Sequence, residues 1–473
     1  MTLAPTSALT HAPLASRAWL ERGFLAAIVL TTFAYGSASS VQSSFAAIAF
    51  SGFAIVSALR PIGSAPIRVV RALAILLAAV LLGYAAFQTL PIPGAAVANG
   101  AWRSVTENIG TAQATISVAP GMTLDALPSL ALPFLAFVGA LVFFQGDHEA
   151  LRLWRALAYF GAGYAVFGIL QELFFPGQLL FETKRAYVGS LTATFVNRNT
   201  AGAFFGLAFL LNLGLGLREL RNVRLRSLVK KAAGLDIRWP GRHAQVLLHA
   251  FTALDCAVAL FLTQSRGAVG ATFVAAFVAV ALIATRPMTR DQPVDGLDKW
   301  PRRAAAIGAL LVVASLFALL AGRSAYRMQE GGVDDGRWCA FTSILQAIRD
   351  NWLWGAGFGA FQDVFPVYRD FACAGIFGVW ERAHNLFLEG WLGLGVLFLA
   401  VLAVGYVTLA GVFVHGVRVR HKLRFAPIFG LAALVLATLH SIVDFSLQIP
   451  GFAVYFAAVM AAATTLSLGR ARR

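Results

Sequence analysis

Long apolar runs alternate along the whole chain with short polar or basic segments. Most runs have the length of about 20 residues that an α-helix needs to cross a hydrocarbon core of about 30 Å. The runs are continuous and lack strict apolar–polar alternation, which favours helical spans over a β-barrel. The pattern predicts an all-α, polytopic integral membrane protein with about 12 transmembrane helices. The predicted spans cover residues 22–36, 41–59, 72–90, 130–145, 156–175, 199–216, 244–262, 268–285, 304–321, 386–415, 425–440 and 450–468.

Three of these runs have lengths that are unusual for a span. The runs at 130–145 and 425–440 are short, whereas the run at 386–415 is long. We expect the helix at 386–415 to be tilted or to extend beyond the membrane.

The longest hydrophilic interval of the chain runs from Arg323 to Trp391. A polar segment of about 60 residues between two spans is too long to be a simple connection. Because it is rich in aromatic residues, we expect it to be a folded lid or site domain on a membrane surface rather than a disordered segment. The aromatic residues are Trp338, Phe341, Trp352, Trp354, Phe358, Phe361, Phe365, Tyr368, Phe371 and Trp380.

The interval divides the chain into three predicted parts. Residues 1–321 form an N-terminal transmembrane bundle of about nine spans, with an external segment at 91–129. Residues 322–385 form one large folded loop with amphipathic helices, and residues 386–473 form the C-terminal transmembrane helices.

Composition supports membrane insertion, and charge predicts its direction. The chain is 59% hydrophobic and 13% charged, whereas soluble domains are about 45–50% apolar and about 25% charged. The net charge of +16 does not indicate nucleic-acid binding, because most of the basic residues lie in short loops between spans. Their distribution places both termini and residues 217–243 in the cytoplasm, and the large loop on the external side of the membrane.

The three cysteines give a separate expectation. Cys339 and Cys373 lie in the large loop, and an oxidising external compartment permits a disulfide between them. The alternative is two buried free thiols. Cys256 lies inside a predicted span and should be a free thiol packed among apolar groups.

With this sidedness, four groups of unusual polar residues fall on the external face. Charged groups near the apolar region are costly and usually have a partner or a function, so we expect one shared site. Arginines without a matching set of carboxylates suit phosphate oxygens, and a histidine can exchange a proton near neutral pH. The chemistry fits group transfer from a lipid pyrophosphate, but it does not decide between transfer and transport. The residues are Lys184, Arg185, Asn197, Arg198, Asn199, Gln264, Ser265, Arg266, Arg337, His384, Asn385, Glu389, His440, Asp444 and Gln448.

Each of these residues also has a purely structural interpretation. Arg266 could be a lipid-headgroup anchor, and Arg337 could extend its charged end from an amphipathic helix to water. His384 could cap or pack at a helix start, and Asn197 to Asn199 could cap the following span. Asp444 could pair with His440, and Glu389 could orient a neighbouring residue.

Several of these segments resemble motifs of the O-antigen ligase and O-antigen polymerase superfamily of bacterial inner-membrane proteins. Residues 194–202 (TFVNRNTAG) resemble its asparagine-rich motif, although Thr200 stands where histidine is common. Residues 262–267 (LTQSRG) resemble its Thr-x-Ser-Arg-Gly motif. Residues 337–359 resemble the arginine helix and glycine-rich turn of its large loop.

The end of the large loop and the C-terminal region add two further resemblances. Residues 383–393 (AHNLFLEGWLG) resemble the motif that closes the loop. Residues 440–450 (HSIVDFSLQIP) resemble a tail found in many members. The resemblance covers roughly residues 180–465.

The resemblance implies a metal-independent, inverting glycosyltransferase without a cofactor. Its donor is a glycan on undecaprenyl pyrophosphate, and its site faces the periplasm of the bacterial cell inner membrane. By the motifs, Arg266 and Arg337 hold the pyrophosphate and His384 is the catalytic base. The remaining residues expected to bind the donor pyrophosphate and glycan are Arg185, Asn197, Arg198, Asn385, Glu389 and Asp444.

Four functions remain open at this point. In one of them the acceptor is a protein, because some relatives glycosylate proteins. A ligase moves the glycan onto lipid A–core in lipopolysaccharide biosynthesis, and a polymerase of the same superfamily moves it onto another lipid-linked glycan. A transporter or flippase for lipid-linked glycans would place polar groups through the membrane midplane and often has internal repeats. The polar residues of this chain cluster on one side instead, which favours transfer. Besides donor and acceptor, the expected partners are membrane lipids and no nucleic acid.

Overall fold

The computed structural model describes residues 14–92, 97–110, 113–221, 223, 241–285, 337–370 and 379–469. These residues form α-helices with one small antiparallel hairpin between the sixth and seventh helix. The helices are α1 (Leu14–Phe33), α2 (Ser40–Ala58), α3 (Ala65–Phe87), α4 (Ala101–Ile109), α5 (Pro120–Phe143), α6 (Asp147–Phe174), α7 (Arg198–Leu220), α8 (Gly241–Leu262), α9 (Arg266–Thr285), α10 (Arg337–Asn351), α11 (Phe361–Tyr368), α12 (Leu386–Leu394), α13 (Val396–Val419), α14 (Phe425–Ser441) and α15 (Pro450–Leu468). The hairpin strands are β1 (Gln178–Leu179) and β2 (Glu182–Thr183).

Within these ranges, 9 helices are long and apolar enough to cross a membrane. They are α2, α3, α5, α6, α7, α8, α9, α13 and α15. Helix α14 is apolar but shorter, and α1 coincides with the first predicted span. The all-α, polytopic prediction is therefore confirmed. The predicted span at 304–321 lies outside the described residues, so the total of about 12 spans stays a prediction.

The prediction of a single helix at 386–415 is wrong, because the chain breaks at Gly395 between α12 and α13. Gly395 has φ +63°, and its N–H donates to the carbonyl of Trp391 at 2.8 Å. A Cβ added at Gly395 would collide with the carbonyl of Leu353. Because the residues on both sides are apolar, hydropathy does not reveal this break.

Helix α5 also differs from its predicted span at 130–145. It begins at Pro120, so the segment predicted as external at 91–129 contains the first turns of this helix. Prolines are tolerated in the first turn of a helix because its N–H groups have no intrahelical partner there.

Helices α7 and α15 form the centre of the bundle. Their most apolar windows are 78% and 89% buried, whereas the corresponding values are 17% for α3 and 11% for α13. Small residues allow this close packing. An added Cβ at Gly202 of α7, for example, would lie 2.7 Å from Cβ of Ala268 in α9.

The described part of the large loop has its own hydrophobic cluster. Buried residues of α10, α11 and α12, with Ala356 and Ala383 between them, form this cluster. The described residues of the loop therefore pack around a common apolar cluster. That residues 322–385 form one folded loop stays a prediction. Its periplasmic position stays a prediction.

The glycine-rich turn at 355–359 attaches the loop to the bundle. Gly355, Gly357 and Gly359 have φ of +73°, +111° and +81°, which residues with a side chain rarely adopt. The N–H of Ala356 donates to the carbonyl of Leu392 at 2.7 Å. The N–H of Gly357 likewise donates to the carbonyl of Gly393 at 3.1 Å. The turn therefore fixes α10 and α11 against α12.

The cysteines agree with the expectation as far as they are described. Cys256 of α8 is a buried free thiol in the main hydrophobic cluster. Cys339 of α10 is disulfide-bonded. Its predicted partner, Cys373, lies outside the described residues.

Candidate active site

The site is built at the N-terminal ends of α7, α9 and α12. Asn197 caps α7, where its side-chain oxygen accepts a hydrogen bond from the N–H of Asn199 at 2.7 Å. The capping interpretation of this motif is therefore confirmed for Asn197. The guanidinium of Arg198 lies over the ring of Tyr187 at 5.3 Å. Arg185 is exposed on the same connection.

Asn199 joins α7 to the start of α9. Its side-chain oxygen accepts a hydrogen bond from Oγ of Ser265 at 2.9 Å. Ser265 immediately precedes Arg266, the first residue of α9, whose side chain is exposed. The asparagine-rich motif and the Thr-x-Ser-Arg-Gly motif are thus in direct contact.

Asp444 connects these two motifs to the C-terminal region. It is 1% exposed and lies between α14 and a short 3₁₀ turn at Ser446–Gln448. Oδ2 of Asp444 accepts a hydrogen bond from Nδ2 of Asn199 at 2.7 Å. Oδ1 accepts a second from Oγ of Ser446 at 2.6 Å. The carboxylate is therefore held in one orientation.

His384 approaches the same oxygen of this carboxylate as Asn199 does. Its Nδ1 is 4.0 Å from Oδ2 of Asp444, which is an electrostatic contact rather than a hydrogen bond. The imidazole makes edge-to-face contacts with Trp380 at 5.4 Å and Phe445 at 5.0 Å between ring centroids. The side chain is 24% exposed. The ring is therefore held between two aromatic side chains and remains partly accessible.

Asn385, which directly follows His384, is held in place by hydrogen bonds of its own side chain. Its side-chain oxygen accepts hydrogen bonds from the N–H groups of Phe387 and Leu388 at 2.9 and 3.0 Å, which caps α12. Its Nδ2 donates to the carbonyl of Ile442 at 2.8 Å. Asn385, and not His384, is therefore the cap of this helix.

Glu389 fixes the residue that precedes His384. Its Oε2 accepts a hydrogen bond from the N–H of Ala383 at 2.7 Å, and its Oε1 accepts one from Arg382 at 3.2 Å. Burial raises the pKa of the Glu389 carboxyl, while Arg382 and the bonds from Ala383 and Gln448 oppose this rise. Glu389 is thus a neighbour of the site that holds the backbone around His384.

The convergence of three helix N-termini gives the site a positive electrostatic character. The unsatisfied N–H groups and the macrodipole of a helix both favour anions at its N-terminus. The caps Asn197 and Asn385 mark two of these ends, and Ser265 precedes the third. Arg198 and Arg266 are the first residues of their helices. This arrangement suits a phosphate-containing ligand.

Arg337 begins α10, but its side chain lies outside the described residues. Its predicted role at the pyrophosphate stays a prediction. The described residues contain no group of three or more His, Cys, Asp or Glu side chains that could hold a metal ion. Metal independence also stays a prediction.

The sequence motifs indicate a shared site but not which side chains join them. Asn199 and Ser265 belong to the unusual polar residues of the external face, but the motifs alone do not assign either of them to the site. Both occupy positions at helix starts where capping alone accounts for a small polar side chain. Only the fold shows that Asn199 contacts Ser265 and Asp444 at once.

Comparison with known proteins supports the resemblance. Residues 251–403 match the family model described as O-antigen ligase. This range runs from α8 into α13 and contains Arg266, Arg337 and His384. A search of curated proteins finds no match. Asn199 and Asp444 lie outside the matched range but are in contact with residues inside it.

Proposed function

We propose that this protein is a membrane glycosyltransferase of the O-antigen ligase type. In this proposal, it moves a glycan en bloc from undecaprenyl pyrophosphate onto an acceptor during lipopolysaccharide or surface polysaccharide biosynthesis. The observation that carries the proposal is the contact network that brings His384, Asp444, Asn199 and Ser265 together beside Arg266. The O-antigen ligase match over residues 251–403 supports the same reaction class.

The proposed reaction is a single displacement that inverts the anomeric carbon. Neutral His384 accepts the proton of an acceptor hydroxyl through Nε2, because Nδ1 faces Asp444. The hydroxyl oxygen forms a bond to the anomeric carbon as the bond from that carbon to the phosphate oxygen breaks. Undecaprenyl pyrophosphate leaves with the bonding electrons, and the proton stays on His384 until it passes to solvent.

Arginines stabilise the charge that develops on the leaving pyrophosphate in this proposal. Arg266 and Arg337 carry the charge at any accessible pH and present paired N–H donors to phosphate oxygens. The N-termini of α7 and α9 add backbone dipoles at the same place. Arg198 and Arg185 extend the positive surface, and Asn197 and Asn385 hold two of the helix starts.

Asp444 and Glu389 act through His384 rather than on the substrate. The buried Asp444 carboxylate stabilises the imidazolium that forms when His384 accepts a proton. Glu389 and Asn385 hold the backbone on the two sides of His384. Glu389 and Asn385 are therefore positioning residues in the proposed mechanism.

The acceptor divides the proposal into two versions. With lipid A–core as acceptor the protein is a ligase, and with a second lipid-linked glycan it is a polysaccharide repeat-unit polymerase. The site described above faces the periplasm in both versions. We favour the ligase version. The chemistry at the donor is the same in the ligase and polymerase versions.

Transfer can be tested directly with the purified protein in lipid vesicles. The substrate is a synthetic oligosaccharide on undecaprenyl pyrophosphate, supplied with lipid A–core or with a second lipid-linked oligosaccharide. We expect a product in which the whole oligosaccharide has moved with inversion at its anomeric carbon. Movement of the intact donor across the bilayer without a new glycosidic bond would support the transporter instead.

A further inference from the structure

The connection between α6 and α7 carries exposed aromatic side chains at the same end of the bundle as the candidate site. We name residues 174–183, which include β1 and β2, the aromatic hairpin. Phe181 at its tip is 95% exposed, and Phe174 and Phe175 at its base are 69% and 57% exposed. An exposed phenylalanine forgoes the favourable free energy that burial of its ring would contribute. Three such side chains together call for an apolar partner.

The aromatic hairpin is held by a built framework rather than being a loose loop. Nζ of the buried Lys184 donates hydrogen bonds to the carbonyl of Ser190 at 2.6 Å and to Glu172 at 3.1 Å. Nε2 of Gln171 donates to the carbonyl of Gln178 at 2.9 Å. These bonds fix the hairpin to the last turn of α6, so its aromatic side chains are held outward.

The position of α6 places the aromatic hairpin at the surface of the bilayer. The last charged residue before the apolar part of α6 is Arg155, and about 30 Å of helix separates it from Phe174. This length equals the thickness of the hydrocarbon core. Leu170 and Leu173 are 48% and 68% exposed on the same helix, so its lipid-facing surface continues into the hairpin.

The charge beside the hairpin fits the same partner. Arg185, which is exposed, follows the hairpin after the buried Lys184. A basic residue next to exposed aromatic side chains is typical of segments that lie in the headgroup region, where the rings enter the acyl boundary and the cation meets lipid phosphates.

We propose that the aromatic hairpin inserts into the lipid headgroup–acyl boundary beside the candidate site and fixes the height of that site above the bilayer. The segment after the hairpin reaches the site through two contacts. Tyr187 lies beneath Arg198, and the carbonyl of Gly189 accepts a hydrogen bond from Gln264 at 2.7 Å. A lipid-anchored hairpin therefore positions the starts of both α7 and α9. The inference rests on exposure and position, and not on the proposed function.

A fluorescent probe on the hairpin tests this inference. Phe181→Cys is made in a Cys256→Ala background, labelled with an environment-sensitive dye and reconstituted in phosphatidylcholine–phosphatidylglycerol vesicles. Phe175→Cys provides a second probe position. Val367→Cys is the matched control, because Val367 is also a strongly exposed apolar residue, 82% exposed, but lies on α11 in the large loop.

We expect spin-labelled lipids to quench the dye at position 181, with the strongest quenching by labels near the headgroup. Quenching by aqueous iodide should be at least about threefold weaker at position 181 than at position 367, since the boundary layer excludes the anion. Strong iodide quenching at positions 181 and 175 without lipid quenching would overturn the proposal. Protection from both quenchers would also overturn it, because the hairpin would then be covered by protein.

Discussion

His384 has an unusual backbone conformation at the centre of the candidate site. Its φ of +53° lies in the left-handed region, which costs a residue other than glycine about 1–3 kcal/mol. The neighbouring residues maintain this conformation, because Glu389 holds Ala383 and Asn385 is tied to Ile442. The strain is local and coincides with the residue to which the proposed mechanism assigns the proton transfer.

Asp444→Asn tests whether the buried carboxylate supports His384. The change removes the negative charge but keeps the size of the side chain. The carboxylate lies 4.0 Å from Nδ1 of His384, where it stabilises an imidazolium by up to about 4 kcal/mol. We therefore expect the transfer rate to fall at least about tenfold. Donor binding, measured by titration with labelled donor, should change little.

Ser446→Ala is the matched control for Asp444→Asn. It removes one hydrogen bond to the same carboxylate but leaves the charge, so its effect on the rate should be smaller. A folded Asp444→Asn protein with wild-type transfer would remove this residue from the mechanism.

Arg266→Lys tests paired hydrogen bonding to the pyrophosphate. Lysine keeps the charge but cannot present two parallel N–H donors. We expect the transfer rate to fall by about tenfold or more, since the lost bond to a charged group is worth roughly 1.5–3 kcal/mol. Arg418→Lys is the control. Arg418 is exposed in the last turn of α13, at the end of this helix that is opposite to the candidate site. Equal rates for Arg266→Lys and wild type would show that charge alone suffices.

At the scale of elements, the break between α12 and α13 couples the large loop to the bundle. Gly395 ends α12, and the N–H of Val396 donates to the carbonyl of Leu353 at 3.3 Å. The same junction receives the bonds from Ala356 and Gly357 of the glycine-rich turn. The orientation of α12, which begins directly after His384 and Asn385, therefore depends on this glycine.

Gly395→Ala should destabilise the protein because alanine at φ +63° is strained and its Cβ would collide with Leu353. We expect a loss of at least about 1 kcal/mol in the free energy of unfolding, measured as a lower Tm in detergent. Gly405→Ala in the interior of α13 is the matched control. No atom lies within 4 Å of its added Cβ, so the better helix propensity of alanine should leave Tm unchanged or raise it. An unchanged Tm for Gly395→Ala would contradict the role of this junction.

The sequence predicts elements better than the joints between them. Continuous apolar runs locate eleven helices, because burial in lipid requires long apolar segments that satisfy their own backbone. The break at Gly395 is not visible in hydropathy, because apolar residues flank it. The start of α5 at Pro120 is hidden for a different reason, since Pro120, Asp125 and Pro128 lower the hydropathy of its first turns. Among site residues, the motifs indicated Asp444 and His384, but the bridge through Asn199 depends on tertiary packing that the linear sequence does not specify.

At the scale of the whole molecule, the network joins parts of the chain that are far apart in sequence. Asn199, Ser265, His384 and Asp444 come from four separate segments, and all of them lie at one end of the bundle. Ion pairs lie at both ends of the helices, such as Arg152 with Glu21 at the opposite end and Lys184 with Glu172 at the site end. The shared contact network, rather than the ion pairs, therefore distinguishes the functional face.

The predicted orientation can be tested by labelling with a membrane-impermeant thiol reagent. From the distribution of Lys and Arg, Gly332→Cys should react in intact cells, whereas Ala233→Cys should react only after the membrane is permeabilised. Both variants carry Cys256→Ala to remove the free thiol. Reaction of Ala233→Cys from outside intact cells would reverse the orientation and place the candidate site in the cytoplasm.

Single-turnover transfer by His384→Asn, with donor binding measured in parallel, tests the central claim most directly. Asparagine tolerates the left-handed backbone conformation better than most residues, so this variant removes the imidazole without adding the backbone strain that His384→Ala introduces. If His384 is the general base, the transfer rate should fall about 10²–10⁴-fold while donor affinity stays close to that of wild type. A folded His384→Asn protein that transfers the glycan at the wild-type rate would contradict the proposed site.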